Sequence, residues 1–360
     1  MPERILIAMS GGVDSSVAAA RLVTDGYDVV GVTLHLWDYP DDGTVKGRCC
    51  APEDVHDARR VADALGFAHF AFDRRDLFRN EVVEPFVEAY LNGETPSPCV
   101  RCNRGVKIKE LLHLADRLEA SRVATGHYAR LRQVDGGVEL LRARDRSKDQ
   151  SYFLHMLPQS VLARLAFPLG GMSKAEVRAQ ARELALPGAE KGESQELCFV
   201  PTGRYDAFVA ERAGDRLRPG PIVDEAGRTV GAHSGVHAFT VGQRRNLGVA
   251  LGKRSYVVGI DAPRGTVRVG PREAVLASGA SLAEVTLQAG VSLPLECDVA
   301  VRYRGQPVAA SVRASDAGIV VDFRDPVAAV VKGQFAVFYA GDRVLGGGVI
   351  EAPRYAERAN

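Results

Sequence analysis

The chain has no apolar run approaching the roughly 20 residues needed to span a bilayer, so no membrane segment is expected. Cysteine is scarce, with six in 360 residues. That is too sparse for a disulfide scaffold, so those that matter are expected to be reactive thiols or metal ligands. Net charge is almost absent at +1, which excludes a uniformly basic binder of nucleic acid. A signal-peptide layout is missing as well, because Met1-Pro2-Glu3-Arg4-Ile5-Leu6-Ile7-Ala8 runs directly into a strand pattern. The expected compartment is the cytoplasm. No repeat or low-complexity stretch is visible, and 46% hydrophobic with 25% charged residues is a globular composition. A length of 360 residues exceeds one ordinary core, so two or three domains are expected.

What is present begins as α/β. Ile5–Met9, Val29–Leu34, Phe67–Phe72 and Arg122–Gly126 read as strands. Between them, Ser15–Gly26, Glu53–Leu65, Asp76–Tyr90 and Lys107–Leu118 have helical spacing. The alternation predicts a parallel sheet with helices on both faces. Asp135-Gly136-Gly137 then signals a hairpin within Leu131–Arg142, and helices return at Ser151–Leu157 and Lys174–Leu184. Beyond about residue 215, short β-like runs with Gly and Pro punctuation suit small antiparallel barrels. The expected division is 1–203, a catalytic domain; 204–272, a small central β-rich domain; and 273–360, a C-terminal β-barrel.

The small net charge conceals a gradient. Residues 1–100 carry a balance of −8, residues 101–148 one of +6, and residues 149–360 one of +3. A basic middle beside an acidic start points to a local anionic partner; an unevenly charged solvated surface is the other reading.

The strongest local signal is Ser10-Gly11-Gly12-Val13-Asp14-Ser15-Ser16, after the first strand and opening the first helix. Glycines let the backbone approach a phosphate, the serines add hydroxyl donors, and the helix N-terminus adds partial positive charge. Without a Gly-Lys-[Ser/Thr] ending, this is not the Walker-type loop. The segment resembles the SGGxDS loop of the ATP pyrophosphatase group (adenine nucleotide alpha hydrolase-like), whose members cleave ATP between the α and β phosphates. On that resemblance Ala8, Met9, Ser10, Gly11, Gly12, Val13, Asp14 and Ser15 hold pyrophosphate, while Leu34 and Gly126 fall where adenine and ribose pack.

The cysteines narrow the chemistry. Pro98-Cys99-Val100-Arg101-Cys102-Asn103 is a proline-stiffened Cys-x-x-Cys segment just before a helix that Asn103 can cap. Arg101, Arg104, Lys107 and Lys109 crowd the thiols, and cations with a helix N-terminus favour thiolate. Cys198 follows Glu193-Ser194-Gln195-Glu196 in a polar loop, whereas Cys49, Cys50 and Cys297 read as incidental. A structural zinc lacks a fourth ligand nearby, and a redox pair needs no ATP loop. Sulfur transfer onto an adenylated carbonyl fits best.

Taken together, the loop, Pro98-x-x-x-Cys102-Asn103, Ala124-Thr125-Gly126-His127-Tyr128, Lys148-Asp149-Gln150-Ser151-Tyr152-Phe153, Ser194–Phe199, Gly242-Gln243-Arg244, Arg302-Tyr303, Gly333-Gln334 and Gly346-Gly347-Gly348 resemble the tRNA-uridine 2-sulfurtransferase (tRNA-specific 2-thiouridylase) family along the whole chain. The resemblance implies 2-thiolation of the wobble uridine of tRNA, with ATP and Mg²⁺. Its partners would be the tRNA anticodon loop and a sulfur donor such as a cysteine desulfurase or sulfur-relay protein. It makes Cys198 the persulfide carrier and Cys102 the resolving nucleophile, with Ser97, Pro98 and Cys99 lining the target base. It places His127, Lys148, Asp149, Gln150, Arg302, Tyr303 and Gln334 on tRNA. Many members of the family carry Asp where this chain has Cys99, and a thiol cannot inherit a carboxylate's acid–base role. Three cysteines at one site also resemble related enzymes that hold a cluster, so a [4Fe-4S] cluster on Cys99, Cys102 and Cys198 stands beside the persulfide route. The rival functions are a small-molecule adenylating synthetase of the same ATP group and a non-catalytic tRNA-binding or sulfur-carrier protein that keeps the fold.

Overall fold

The computed structural model describes residues 2–38, 52–189, 197–200, 203–249, 252, 254–316 and 318–355. Cys49, Cys50 and the stretch Glu193–Glu196, all singled out above, lie outside the described residues. The chain divides into two units, each discontinuous in sequence. The first takes 1–83, 99–203 and 342–344; the second takes 84–98, 204–341 and 345–360.

The first unit is built on a five-stranded sheet in the order β3-β2-β1-β4-β7. Its strands are β1 (Arg4–Ala8), β2 (Asp28–His35), β3 (His69–Asp73), β4 (Arg122–Ala124) and β7 (Leu165–Ala166), and every pairing is parallel. Parallel strands require crossover connections, which the sequence supplies as α1 (Val13–Thr24) and α2 (Pro52–Leu65). Ile5, Ile7, Val17, Ala18, Ala19, Val61 and Ala62 close the core between sheet and helices. Small alanines on α1 allow the close approach.

Between β4 and β7 the chain inserts an antiparallel hairpin, β5 (Ala129–Val134) and β6 (Gly137–Arg142), turning at Asp135-Gly136 as the glycine signal indicates. The expected helix at Lys107–Leu118 starts earlier. Residues Pro98–Cys102 and Ile108–Arg117 are α-helical and are joined through a π turn at Asn103–Lys107. Asn103 therefore lies inside a continuous helical segment, makes no capping hydrogen bond, and is buried with its Oδ1 unpartnered.

In the second unit, helix Glu84–Leu91 packs on helix Tyr205–Ala213, with Tyr90 stacked on Tyr205 at 4.7 Å between ring centroids and Phe86 edge-on to Phe208. The sequence reading placed no helix at 205–213. A four-stranded sheet follows in the order β10-β11-β8-β9, formed by β8 (Gly220–Val223), β9 (Thr229–His233), β10 (Tyr256–Asp261) and β11 (Thr266–Gly270). Its core is Ile222, Phe239, Val257, Val267 and Val269.

Six further strands make the C-terminal barrel: β12 (Leu276–Leu287), β13 (Leu295–Ala300), β14 (Val308–Ser315), β15 (Gly318–Ala328), β16 (Phe335–Ala340) and β17 (Arg343–Tyr355). Their order is β12-β15-β14-β13-β16-β17, and β17 pairs back with β12, which closes the barrel and removes its edges. Val299, Val312, Val321, Ala336, Phe338 and Ile350 fill it. No helix among the described residues is long and apolar enough to cross a membrane.

Candidate active site

The phosphate loop leaves β1 at Ala8 and enters α1 at Val13. Met9 is pinned from β2 twice, by its own amide on the Val32 carbonyl at 2.8 Å and by the Thr33 hydroxyl donating to its carbonyl at 2.8 Å. Gly11 has φ +69°, and a Cβ there would fall 2.3 Å from the Asp54 carbonyl oxygen. Only glycine fits both the conformation and the space.

The loop is tied by its own hydroxyls. Ser15 Oγ donates to the Gly12 carbonyl at 2.9 Å and accepts the Ser10 amide at 3.2 Å, while Ser16 Oγ also donates to Gly12 at 3.1 Å. Gly12, at the N-cap, provides no side-chain cap, so the first-turn amides of α1 keep their anion-binding character. Gly126, following β4, lies against this turn; a Cβ there would come within 3.0 Å of the Ser15 amide nitrogen. Leu34 is buried in β2, in register with Phe72 of β3.

One charged constellation was not foreseen. Lys174 is 8% exposed, and its ammonium donates to both carboxylate oxygens of Asp14, at 2.7 and 2.8 Å. Tyr128 donates its hydroxyl to Asp14 Oδ1 at 2.8 Å, and its ring lies 5.9 Å from the same ammonium. Lys174 opens helix Lys174–Glu183, whose capping box pairs Ser173 with Glu176, and its amide donates to Asp145 at 3.0 Å. A cation in the first turn opposes the helix dipole. Its presence beside so clear a cap was the signal available in sequence.

The cysteine pair differs from expectation. Cys102 is buried, and Cys99 is partly covered by surface area yet enclosed by protein. Burial pushes the Cys99 thiol up to about 11 and the Cys102 thiol upward as well. The Lys107 charge opposes both shifts without overcoming them, and its backbone amide assists at Cys102. Nearby cations were expected to favour thiolate; desolvation wins instead, and both side chains rest as thiols.

Lys107 also acts on His127, whose pKa falls to about 3, chiefly from burial. His127 Nδ1 is 2.8 Å from Thr125 Oγ1, and its ring meets Phe167 edge-on. Cys198 is partly buried beside Phe199, which packs edge-on against Trp37 and Phe78. Among the described residues no group of three or more His, Cys, Asp or Glu side chains is placed to hold a metal ion.

The residues expected on tRNA divide by what already holds them. Asp149 is buried, and its carboxylate accepts from Arg142 Nε at 2.9 Å, the Ala143 amide at 3.0 Å, and the amide and hydroxyl of Ser151. It ties its own turn to the end of β6. Gln150 accepts the Tyr128 amide at 2.9 Å and returns its own amide to the Tyr128 carbonyl at 2.8 Å. Lys148 is half-buried in the same turn.

In the second unit, Gln334 donates Nε2 to the Thr95 carbonyl at 2.8 Å and, more weakly, to that of Pro96 at 3.3 Å. It holds the segment leading to Ser97 and Pro98. Arg302 is exposed in the turn after β13; beside it the Arg304 guanidinium lies 5.3 Å from the Tyr303 ring centroid.

Comparison with known proteins agrees along the chain. Residues 3–202 match the family model of the tRNA methyl transferase HUP domain, 206–271 the tRNA methyl transferase PRC-barrel domain, and 280–350 the aminomethyltransferase beta-barrel domain. A tRNA-specific 2-thiouridylase MnmA of Sorangium cellulosum is 61% identical, covering 99% of this chain and 94% of the relative. That of Geobacter metallireducens is 47% identical, covering 97% of each. Among solved structures, a 4-thiouridine synthetase bound to RNA and ATP aligns with a TM-score of 0.35 at 17% identity, covering 59% of this chain and 51% of that one. With almost its whole length matched at such identity, the chain belongs to the MnmA family of tRNA-specific 2-thiouridylases.

Proposed function

We propose that this chain catalyses ATP-dependent 2-thiolation of the wobble uridine of tRNA, in the cytoplasm, with sulfur delivered by a desulfurase or relay protein. The observation that carries the proposal is the occurrence within one unit of an uncapped, glycine-cradled helix start and a cysteine pair of which Cys102 is buried and Cys99 half-buried. In that reading the amides from Gly11 to Ser15 take the β and γ phosphates. Lys174, anchored on Asp14, offsets their charge. ATP arrives with Mg²⁺, which is held mainly by phosphate oxygens and water. We place the functional divisions at residues 1–203, 204–272 and 273–360.

The uridine O2 attacks the α phosphorus and pyrophosphate leaves. The terminal sulfur of a Cys198 persulfide then adds to C2, and AMP departs with the original oxygen. Cys102, as thiolate, attacks the Cys198 sulfur; a Cys102–Cys198 disulfide forms and the base keeps the sulfur as its thiocarbonyl. An external thiol reduces the disulfide. Because Cys102 rests protonated, its proton must be lost during turnover, and Lys107 is the cation that favours this.

The test measures AMP formation and base thiolation, with and without unmodified tRNA and a sulfur donor, in wild type and Cys198→Ser. AMP formation that depends on tRNA, with thiolation lost in the variant, is expected. AMP release independent of tRNA and unchanged in the variant would identify a small-molecule synthetase instead. Absence of AMP would indicate a binding protein.

A further inference from the structure

We propose that Tyr128 is a positioning residue that couples the Lys148–Gln150 turn to the phosphate loop, so that RNA held at that turn sets the loop for ATP. The inference rests on the functional reading above together with the family resemblance that places Lys148, Asp149 and Gln150 on tRNA. Tyr128 has two ends, and each is engaged. Its backbone forms a closed pair with Gln150: the Tyr128 amide donates to Gln150 Oε1 at 2.9 Å, and the Gln150 amide donates to the Tyr128 carbonyl at 2.8 Å. Its hydroxyl donates to Asp14 Oδ1 at 2.8 Å, on the acid of the loop that Lys174 also grips.

The intervening structure is stiff. Tyr128 is 3% exposed, and Asp149, next to Gln150, is buried with four hydrogen bonds, two from Arg142 and Ala143 at the end of β6 and two from Ser151. On the other side, Gly126 lies against the Ser15 amide with no room for a Cβ, so the 125–128 segment cannot shift without moving the start of α1. Any RNA group that bonds Gln150 or displaces its turn pulls on the backbone of Tyr128. Packed structure transmits such a shift, because it cannot deform continuously. The phenol then changes how Asp14 and Lys174 are held at the position where phosphate charge arrives.

The decisive quantity is a coupling factor, the ratio of ATP-analogue affinities with and without RNA. It is measured by equilibrium binding of an analogue with a methylene bridge between the α and β phosphorus atoms, using full-length protein and an unmodified tRNA transcript. In wild type the transcript is expected to tighten analogue binding about ten-fold, and the analogue must tighten transcript binding by the same factor. Tyr128→Phe keeps the ring beneath Lys174 but removes the donor to Asp14; its coupling factor is expected to fall below about two, whatever happens to each affinity alone. Gln150→Ala should lower the same factor, and the double variant should lower it no further. A merely structural Tyr128 would weaken both affinities and leave the factor unchanged. An unchanged factor in Tyr128→Phe, or additive losses in the double variant, would overturn the proposal. A wild-type protein that binds analogue but no transcript would overturn the functional reading itself.

Discussion

Cys99 carries the clearest residue-scale conflict, between burial that favours its thiol and a lysine that favours its thiolate. Burial prevails and moves it to about 11. At pH 7 such a group is thiolate in about one part in 10⁴, against a few per cent for an ordinary cysteine. Alkylation by iodoacetamide, followed peptide by peptide, should therefore be slow at Cys99 and Cys102 and keep rising beyond pH 9. Lys107→Met should slow both further at any given pH, since it removes the opposing charge. A plateau near pH 8, or indifference to Lys107, would show that desolvation does not control these thiols.

His155 provides a stability prediction of definite sign. It is fully buried, its Nδ1 lies 2.7 Å from the Tyr152 carbonyl, and burial lowers its pKa to about 4. Unfolded, it would take a proton near 6.5. Between those values the unfolded chain binds more protons, so stability is complete above pH 6.5 and is lost progressively as pH falls toward 4. The shift corresponds to roughly 3 kcal/mol at most. Melting temperature measured from pH 7 to pH 4 should fall, and His155→Gln should flatten that slope even where its own starting stability is lower.

At the scale of elements, legibility followed the strength of the local pattern. The parallel strands and α1 were readable because apolar runs alternate with alanine-rich helical spacing that ends at Gly26. The helix Tyr205–Ala213 was missed because its period is weak; its aromatic residues acquire meaning only against Phe86 and Tyr90, more than a hundred positions earlier. The π turn at Asn103–Lys107 was missed for a related reason. An extra residue in a turn leaves composition unchanged and reveals itself only in where side chains point. The phosphate loop was legible as a motif, yet its Lys174 anchor was not, because 160 residues separate the partners.

The contact between the β4 end and α1 makes an element-scale prediction. In Gly126→Ala the new methyl would press the Ser15 amide and the Asp14 carbonyl carbon, at 3.0 and 3.1 Å. The helix start would have to yield by a few tenths of an ångström. ATP affinity should fall about ten-fold or more while the melting temperature changes by only a few degrees, because the strain lies at one loop. Calorimetric ATP binding beside thermal unfolding separates the two; a large loss of stability with normal affinity would place the strain elsewhere.

At the scale of the whole molecule, the charge gradient is the feature that structure changes most. The basic block at 101–148 promised a cationic surface, but much of it is neutralised within the first unit. Arg122 pairs with Glu3, Arg132 with Glu139, Arg142 with Asp149 and Arg144 with Glu176, while Arg130 and Arg146 share Asp342. Four of those five acids lie outside the block, at positions 3, 149, 176 and 342, so the block's own composition could not have revealed the cancellation. Cations committed in this way release few counterions when RNA binds, since they are already balanced. The logarithm of tRNA affinity should therefore fall only shallowly with the logarithm of salt, with a slope no steeper than about −5, far short of the value of about −11 that twelve available cations would give. Lys148→Met should lower the slope by about one if that side chain meets a phosphate. A measured slope of about −11 would mean that the arginine pairs open on binding, and the same titration on Asp342→Asn would then steepen little further.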